Sequence, residues 1–287
     1  MIDRLAIIGV GLIGSSLSLA LKQAAAVGQV VGYGRNRQNL EKGVALGVID
    51  RYATTIADCV SDADVIVVAV PLGAMRQVFG ELKSSVRLDA VITDVGSAKG
   101  SVVSQARAEL GDLFARFVPG HPIAGTEKSG VEAGFASLYQ NRRVILTPLQ
   151  QTAADAVEVV DQMWQHCGAV MEYLSVEHHD KVLAATSHLP HMLAYALVHH
   201  LSSLNDHEEI FRYAAGGFRD FTRIASSDPV MWRDVCLANG DALVLLIEQY
   251  QQELERIAAA IRNGDADELL KLFGRAKSER DSLIGSC

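Results

Sequence analysis

The stretch Phe117–Ala133, FVPGHPIAGTEKSGVEA, concentrates groups able to move protons and bind anions: His121, Thr126, Glu127, Lys128 and Ser129. Two prolines and three glycines between Pro119 and Gly130 argue against a regular helix or a central strand, so the segment reads as a loop. Long irregular segments in compact domains are usually functional or disordered, and the apolar surroundings here disfavour disorder. A histidine held beside proline takes one fixed direction, which a general base needs. His121 is therefore a candidate base, and the plainer alternative is a surface loop with an ordinary histidine.

Two more clusters lie further along. Ser187-His188-Leu-Pro190-His191 is flanked by His178-His179 and His199-His200. Histidines three apart on a helix can share a metal, but no cysteine supports such a site, Glu177 and Asp180 are the only nearby carboxylates, and Pro190 distorts the helix. No metal is expected. Ser187, His188 and His191 are expected to face a cleft, with the other histidines at the surface or satisfied in the core. In Gly216-Gly217-Phe218-Arg219-Asp220-Phe221-Thr222-Arg223, an arginine suits bidentate recognition of a carboxylate. A solvated loop with Asp220 and Arg223 paired locally fits Arg219 comparably well, and Arg223 less so.

The elements that must position these residues begin at Leu5–Val10, a branched apolar run suited to a buried strand. It leads into Gly9-Val-Gly11-Leu12-Ile13-Gly14 and a helical Ser15–Ala26. Strand, GxGxxG and helix in that order is the context of the dinucleotide fingerprint, with the pyrophosphate on the helix N-terminus. At the end of the next strand, Val30–Gly34, an NAD enzyme normally carries an acid for the ribose diol. No acidic residue occurs between Asp3 and Glu41; Gly34 is followed instead by Arg35-Asn36-Arg37. Two guanidiniums suit the 2′-phosphate of NADP, or simply solvate a loop. NADP is the expected cofactor, with NAD also possible.

A βα rhythm follows. Helix Glu41–Leu46 precedes strand Asp62–Val70, which ends at Pro71; helix Leu72–Leu82 precedes strand Ala90–Val95, which runs into Asp94-Val-Gly96-Ser97-Ala-Lys99-Gly100. Further on come strand Val144–Pro148, helix Ala153–His166 and strand Ala169–Leu174. Ligands of such sheets bind beyond the strand carboxyl ends, so Val70, Pro71, Asp94, Ser97, Lys99 and His121 should converge near the nicotinamide. After Ser175, a good helix start, the pattern is helical: Val176–Leu201, Glu208–Gly216, Asp234–Asn263 and Asp265–Ile284. The expected fold is α/β: a Rossmann-type doubly wound parallel sheet over residues 1–174, then an all-α domain over 175–287. That half holds more apolar face than it can bury alone, so a homodimer is expected.

A net charge of −8 without a basic run disfavours nucleic acid. Three glycines break the apolar Leu5–Leu21, which makes neither a good signal peptide nor a membrane span. Cys59, Cys167, Cys236 and Cys287 are scattered as free thiols would be in a reducing compartment, so a cytoplasmic protein without a membrane partner is expected.

The segments GVGLIG at 9–14, DVGSAKG at 94–100, GHPIAGTEKSGVEAG at 120–134, SHLPH at 187–191 and GGFRDFTRIASSDPVMW at 216–232 resemble the prephenate/arogenate dehydrogenase family of tyrosine biosynthesis. The resemblance spans both halves in the family's order. It implies oxidative decarboxylation of a small cyclohexadienol, with hydride passing to NAD(P) in a homodimer. It implies that His121 accepts the ring hydroxyl proton, that Ser97 orients that hydroxyl, and that Arg223 binds a substrate carboxylate. It places His188, His191, Ser187, Thr126, Glu127 and Trp232 around the pocket. The chain carries neither a fused chorismate mutase nor a C-terminal ACT domain, so feedback through such a domain is not expected. A neutral imidazole base implies that kcat/KM falls below a pKa of about 6–7. The rivals are another NADP-linked two-domain reductase (of β-hydroxyacid dehydrogenase or imine reductase type) and a non-catalytic NADP sensor.

Overall fold

The computed structural model describes residues 1–284; Cys287, expected to be a free thiol, lies outside the described residues. Strands β1 (Ile2–Ile8), β2 (Val27–Tyr33), β3 (Arg51–Tyr52), β4 (Val65–Val68), β5 (Val91–Asp94) and β6 (Phe117–Val118) form one parallel sheet. Their order is β3-β2-β1-β4-β5-β6. Helices α1 (Leu12–Gln23), α2 (Arg37–Ala45), α3 (Ile56–Val60), α4 (Leu72–Leu82) and α5 (Lys99–Glu109) make the crossovers. The stretches Leu5–Ile8, Val65–Val68 and Val91–Ile92 are apolar because both faces of the sheet are covered. Leu5, Ile7, Val65, Val67 and Val91 pack on one side with Leu17 and Leu21 of α1. Ala6, Ile8, Ile66, Val68 and Ile92 pack on the other with Met75 and Phe79 of α4 and Val102 of α5.

The remaining strands do not extend this sheet. β7 (Gly120–Pro122), β8 (Arg143–Leu146) and β9 (Val170–Tyr173) form a second one, β7 antiparallel to β8 and β8 parallel to β9, with α6 (Ala154–His166) between the last two in sequence. The stretch expected to be a loop thus holds two short strands, hinged at Pro119. Both lie at sheet edges, where proline costs no ladder hydrogen bond.

Ser175 caps α7 (Val176–Leu183), its hydroxyl accepting from His178 N at 3.1 Å. The single helix expected over Val176–Leu201 contains a π-helical turn, Ala184–His188, before α8 (Leu189–Ser202). Pro190 has no N–H to continue the α-helical ladder at that point. Next come α9 (His207–Arg212), α10 (Gly216–Thr222), α11 (Pro229–Ala238), α12 (Gly240–Asn263) and α13 (Ala266–Ile284). The helix expected over Glu208–Gly216 stops at Arg212, ahead of the flexible Gly216-Gly217 pair. The one expected over Asp234–Asn263 breaks at Asn239, whose side chain is drawn into buried hydrogen bonds.

The chain groups into two compact units, Met1–Gly240 and the segment from Asp241 onward. In the second, Arg256 Nε donates to Glu268 Oε1 at 2.7 Å, tying α12 to α13. Val244, Leu245, Leu254, Ile261, Leu270 and Phe273 there are exposed. Among the described residues no helix is long and apolar enough to cross a membrane.

Candidate active site

The fingerprint glycines have the geometry a dinucleotide requires. Gly9 has φ +106°, and a Cβ on it would collide with the Ala69 carbonyl. Nothing lies within 4 Å of where a Cβ on Gly11 would stand, which leaves room for a pyrophosphate against the backbone. Gly11 is the N-cap of α1 and no side chain caps that end, so the Leu12, Ile13 and Gly14 amides keep their positive face. Tyr139, which nothing in the sequence singled out, holds this turn through its hydroxyl, donating to Ile13 O at 2.6 Å. These residues fit a bound dinucleotide.

At the β2 end the two arginines part company. Asn36 caps α2, its side chain accepting from Asn39 N at 3.1 Å. Arg37 pairs with Glu41 at 2.8 Å, which raises its pKa through that hydrogen bond, so it is engaged with its own helix. Arg35, after Gly34, is exposed, and among the described residues no carboxylate pairs with it. Val70 is half-buried just past β4, and Pro71 is the N-cap of α4.

Asp94 and Lys99 turn inward instead of lining the cofactor cleft. Both side chains are fully buried and paired to each other. Asp94 also accepts from Gly96 N at 2.7 Å and Gly120 N at 3.2 Å, while Lys99 Nζ donates to Gly120 O at 2.6 Å. Burial lowers the Lys99 pKa, against the opposing pull of Asp94 and then Asp180. The pair therefore clamps both backbone groups of Gly120, next to His121.

His121 is buried at the centre of β7, opposite Ile145. Its Nδ1 lies 2.8 Å from Nε2 of His179 on α7, and His179 Nδ1 lies 2.8 Å from Asp180 Oδ1. Asp180 also accepts from Lys99 N at 2.7 Å and Gly100 N at 2.8 Å, capping α5 from another helix. Burial opposes the charge on Asp180, but these hydrogen bonds from His179 and the two amides outweigh it and lower its pKa. Burial, reinforced by His179, Lys99 and His188, holds the His121 imidazole well below the ordinary histidine range. His188 is pushed down to about 4, chiefly by burial, and lies against the Ser97 backbone. Asn239 Nδ2 joins the two parts, donating to Asp180 O at 2.8 Å and lying 3.2 Å from His188 Nδ1.

The surroundings of Arg223 are more open. Arg223 sits 3.9 Å from Glu127, so the local Asp220–Arg223 pair is not formed; Arg219 is exposed. His191 stacks on Trp232 with ring centroids 3.7 Å apart and its Nδ1 is 2.8 Å from the Ser187 carbonyl. Burial lowers its pKa, and Arg223 adds to that. The His188 ring is 6.1 Å from Trp232, which links this group to the buried histidines. Thr126 is exposed, and its hydroxyl accepts from Lys128 N at 3.2 Å. His178, His199 and His200 are at the surface. His179 and Asn239, both buried, and the half-buried Asp180 are the polar residues not anticipated at the site. The only hint in the sequence was a His-Asp pair one turn inside a well-capped helix.

A parallel sheet in the order β3-β2-β1-β4-β5-β6 with this glycine turn places the chain among dinucleotide-dependent dehydrogenases. Residues 17–173 match the nucleotide-binding domain of prephenate dehydrogenase and residues 175–275 its dimerization domain. The chain belongs to the prephenate dehydrogenase family. It is 38% identical to a cyclohexadienyl dehydrogenase of Zymomonas mobilis, over 98% of this chain and 96% of that one. It is also 38% identical to a prephenate dehydrogenase of Bacillus subtilis, over 99% of this chain and 76% of that one. A crystal structure of prephenate dehydrogenase from A. aeolicus with hydroxyphenyl propionate and NAD+ superposes with a TM-score of 0.92, at 38% identity and 99% coverage of both chains.

Proposed function

We propose that this chain oxidatively decarboxylates prephenate, arogenate or both, giving 4-hydroxyphenylpyruvate or tyrosine, with His121 as general base. The observation that carries this reading is the buried His121 imidazole on β7, held 2.8 Å from His179 beside the dinucleotide-binding sheet. The nicotinamide, when bound, supplies the hydride acceptor. His121 takes the ring hydroxyl proton, Ser97 orients that hydroxyl, and loss of CO2 gains an aromatic ring. Arg223 binds a substrate carboxylate. Its contact with Glu127 is long and both side chains are more than half exposed, so exchanging that partner for substrate costs little. Ser187, His188, His191, Thr126 and Trp232 complete the pocket wall.

The dinucleotide lies against Gly9 to Gly14, Gly34 to Asn36, Val70 and Pro71. NADP is the preferred form in this reading, because no acid ends β2 and, among the described residues, no carboxylate pairs with Arg35. With Arg37 engaged by Glu41, Arg35 carries the 2′-phosphate contact. Residues 1–174 serve the dinucleotide, and residues 175–287 serve substrate and a homodimer, which the exposed apolar side chains of α12 and α13 support. Unpaired Cys59, Cys167 and Cys236 suit the cytoplasm.

The test is steady-state kinetics with both substrates and both cofactors, on the native protein and on His121→Asn. The variant should lose roughly 10²–10⁴-fold in kcat with cofactor affinity unchanged. Near-native kcat removes His121 from the chemistry. Arg35→Asp should reverse the NADP/NAD preference, and an unmoved ratio removes Arg35 from cofactor choice.

A further inference from the structure

We propose that His179 and Asp180 are positioning residues that fix which nitrogen of His121 carries its proton, leaving Nε2 unprotonated toward the substrate; this rests on the general-base reading above. Asp180 is the fixed end of the chain. Its Oδ1 accepts from Lys99 N and its Oδ2 from Gly100 N, at 2.7 and 2.8 Å, so the carboxylate cannot rotate away. A carboxylate only accepts hydrogen bonds, so the His179 Nδ1 facing it at 2.8 Å carries a proton. In a neutral ring that leaves His179 Nε2 with a lone pair. The group facing it at 2.8 Å is His121 Nδ1, which must then be the donor. A neutral His121 with Nδ1–H has its lone pair on Nε2, as proton abstraction requires.

The surroundings favour this arrangement over its reverse. His121 is faced by His179, Lys99 and His188. Lys99 is spent on Asp94 and the Gly120 carbonyl, so it neither donates to the imidazole nor needs it as an acceptor. The Asn239 amide, bonded to the Asp180 carbonyl, holds α7 against slipping. His179 is completely buried and His121 nearly so, so no solvent competes for the Nδ1–Nε2 bond.

Nitrogen-15 NMR of histidine-labelled protein without substrate reads the tautomers directly. His121 and His179 should each be protonated on Nδ1 alone. His179→Gln keeps an acceptor for His121 Nδ1–H and a donor for Asp180, and should hold kcat within about fivefold. His179→Leu leaves that N–H without a partner; His121 should then shift almost wholly to the Nε2–H tautomer, the productive form falling to about one part in a hundred, with kcat down about 10²-fold and KM within about twofold. A wild-type His121 protonated on Nε2 overturns the proposal. So does an equal loss of kcat in both variants with wild-type tautomers, since that pattern means His179 only fills space. If the native protein oxidises neither prephenate nor arogenate, the enzymatic reading fails, while the NMR result still decides the tautomer.

Discussion

Replacing Lys99 by methionine removes the cation from a carboxylate that cannot reach water. Asp94 and Lys99 are both fully buried, and the ammonium bonds Asp94 and the Gly120 carbonyl. The Gly96 and Gly120 amides still donate to Asp94 in the variant, but neutral donors do not cancel its charge. Methionine replaces most of the lysine stem, so little cavity forms and the electrostatic loss dominates. Breaking a buried pair from one side costs about 3–5 kcal/mol, against a total of about 5–15 kcal/mol for a typical protein. At about 2–4 °C per kcal/mol for a unit of this size, Lys99→Met should lower Tm by about 6–20 °C. Thermal unfolding followed by near-UV circular dichroism measures this. The double variant Asp94→Asn/Lys99→Met should regain part of the loss, since a buried amide needs no counter-charge. A single-variant shift below about 2 °C, or a double variant no more stable than the single one, refutes the reasoning.

The acid limb of kcat/KM should lie below pH 6.5 instead of at the expected 6–7, because burial and three cationic or imidazole neighbours keep His121 neutral; a limb at or above 6.5 contradicts this. His188 has a folded value of about 4 against 6.5 ordinarily, so below pH 6.5 the unfolded chain takes up a proton that the folded chain refuses. Stability should be full above about 6.5 and decline towards 4, and His188→Gln should flatten that decline in a pH–Tm profile; an unchanged slope refutes it. Arg223→Ala should raise substrate KM about 10–100-fold with kcat little altered, as loss of a charge-assisted contact shared by ground and transition states predicts. An unchanged KM would show Arg223 to be structural.

The parts legible in the sequence are those written in local chemistry. The run Leu5–Val10 into GVGLIG fixes strand, turn and helix together, and Ser175 announces α7 correctly. Pro122 misled because an edge strand needs no N–H at that position, and Pro119 because it only joins β6 to β7, so both strands were invisible to a rule about central strands. Asp94 was expected at the cofactor because it ends a strand. Only the fold reveals that Lys99, one turn away in the chain, reaches back into the same buried space. His179 and Asp180 were hidden for a related reason. Their importance lies in facing β7 and α5, more than fifty residues distant, and no local pattern encodes that meeting.

The π turn at Ala184–His188 has a consequence for how this helix could tolerate change. Residues nine apart on an unbroken α-helix project from opposite sides, since nine steps of about 100° leave half a revolution. His179 and His188 are nine apart, yet both imidazoles act on His121. The wide turn absorbs the surplus residue and swings the downstream half round. Deleting one residue there would therefore restore ordinary helix while leaving the downstream side chains facing as they do now, whereas inserting one would turn them away.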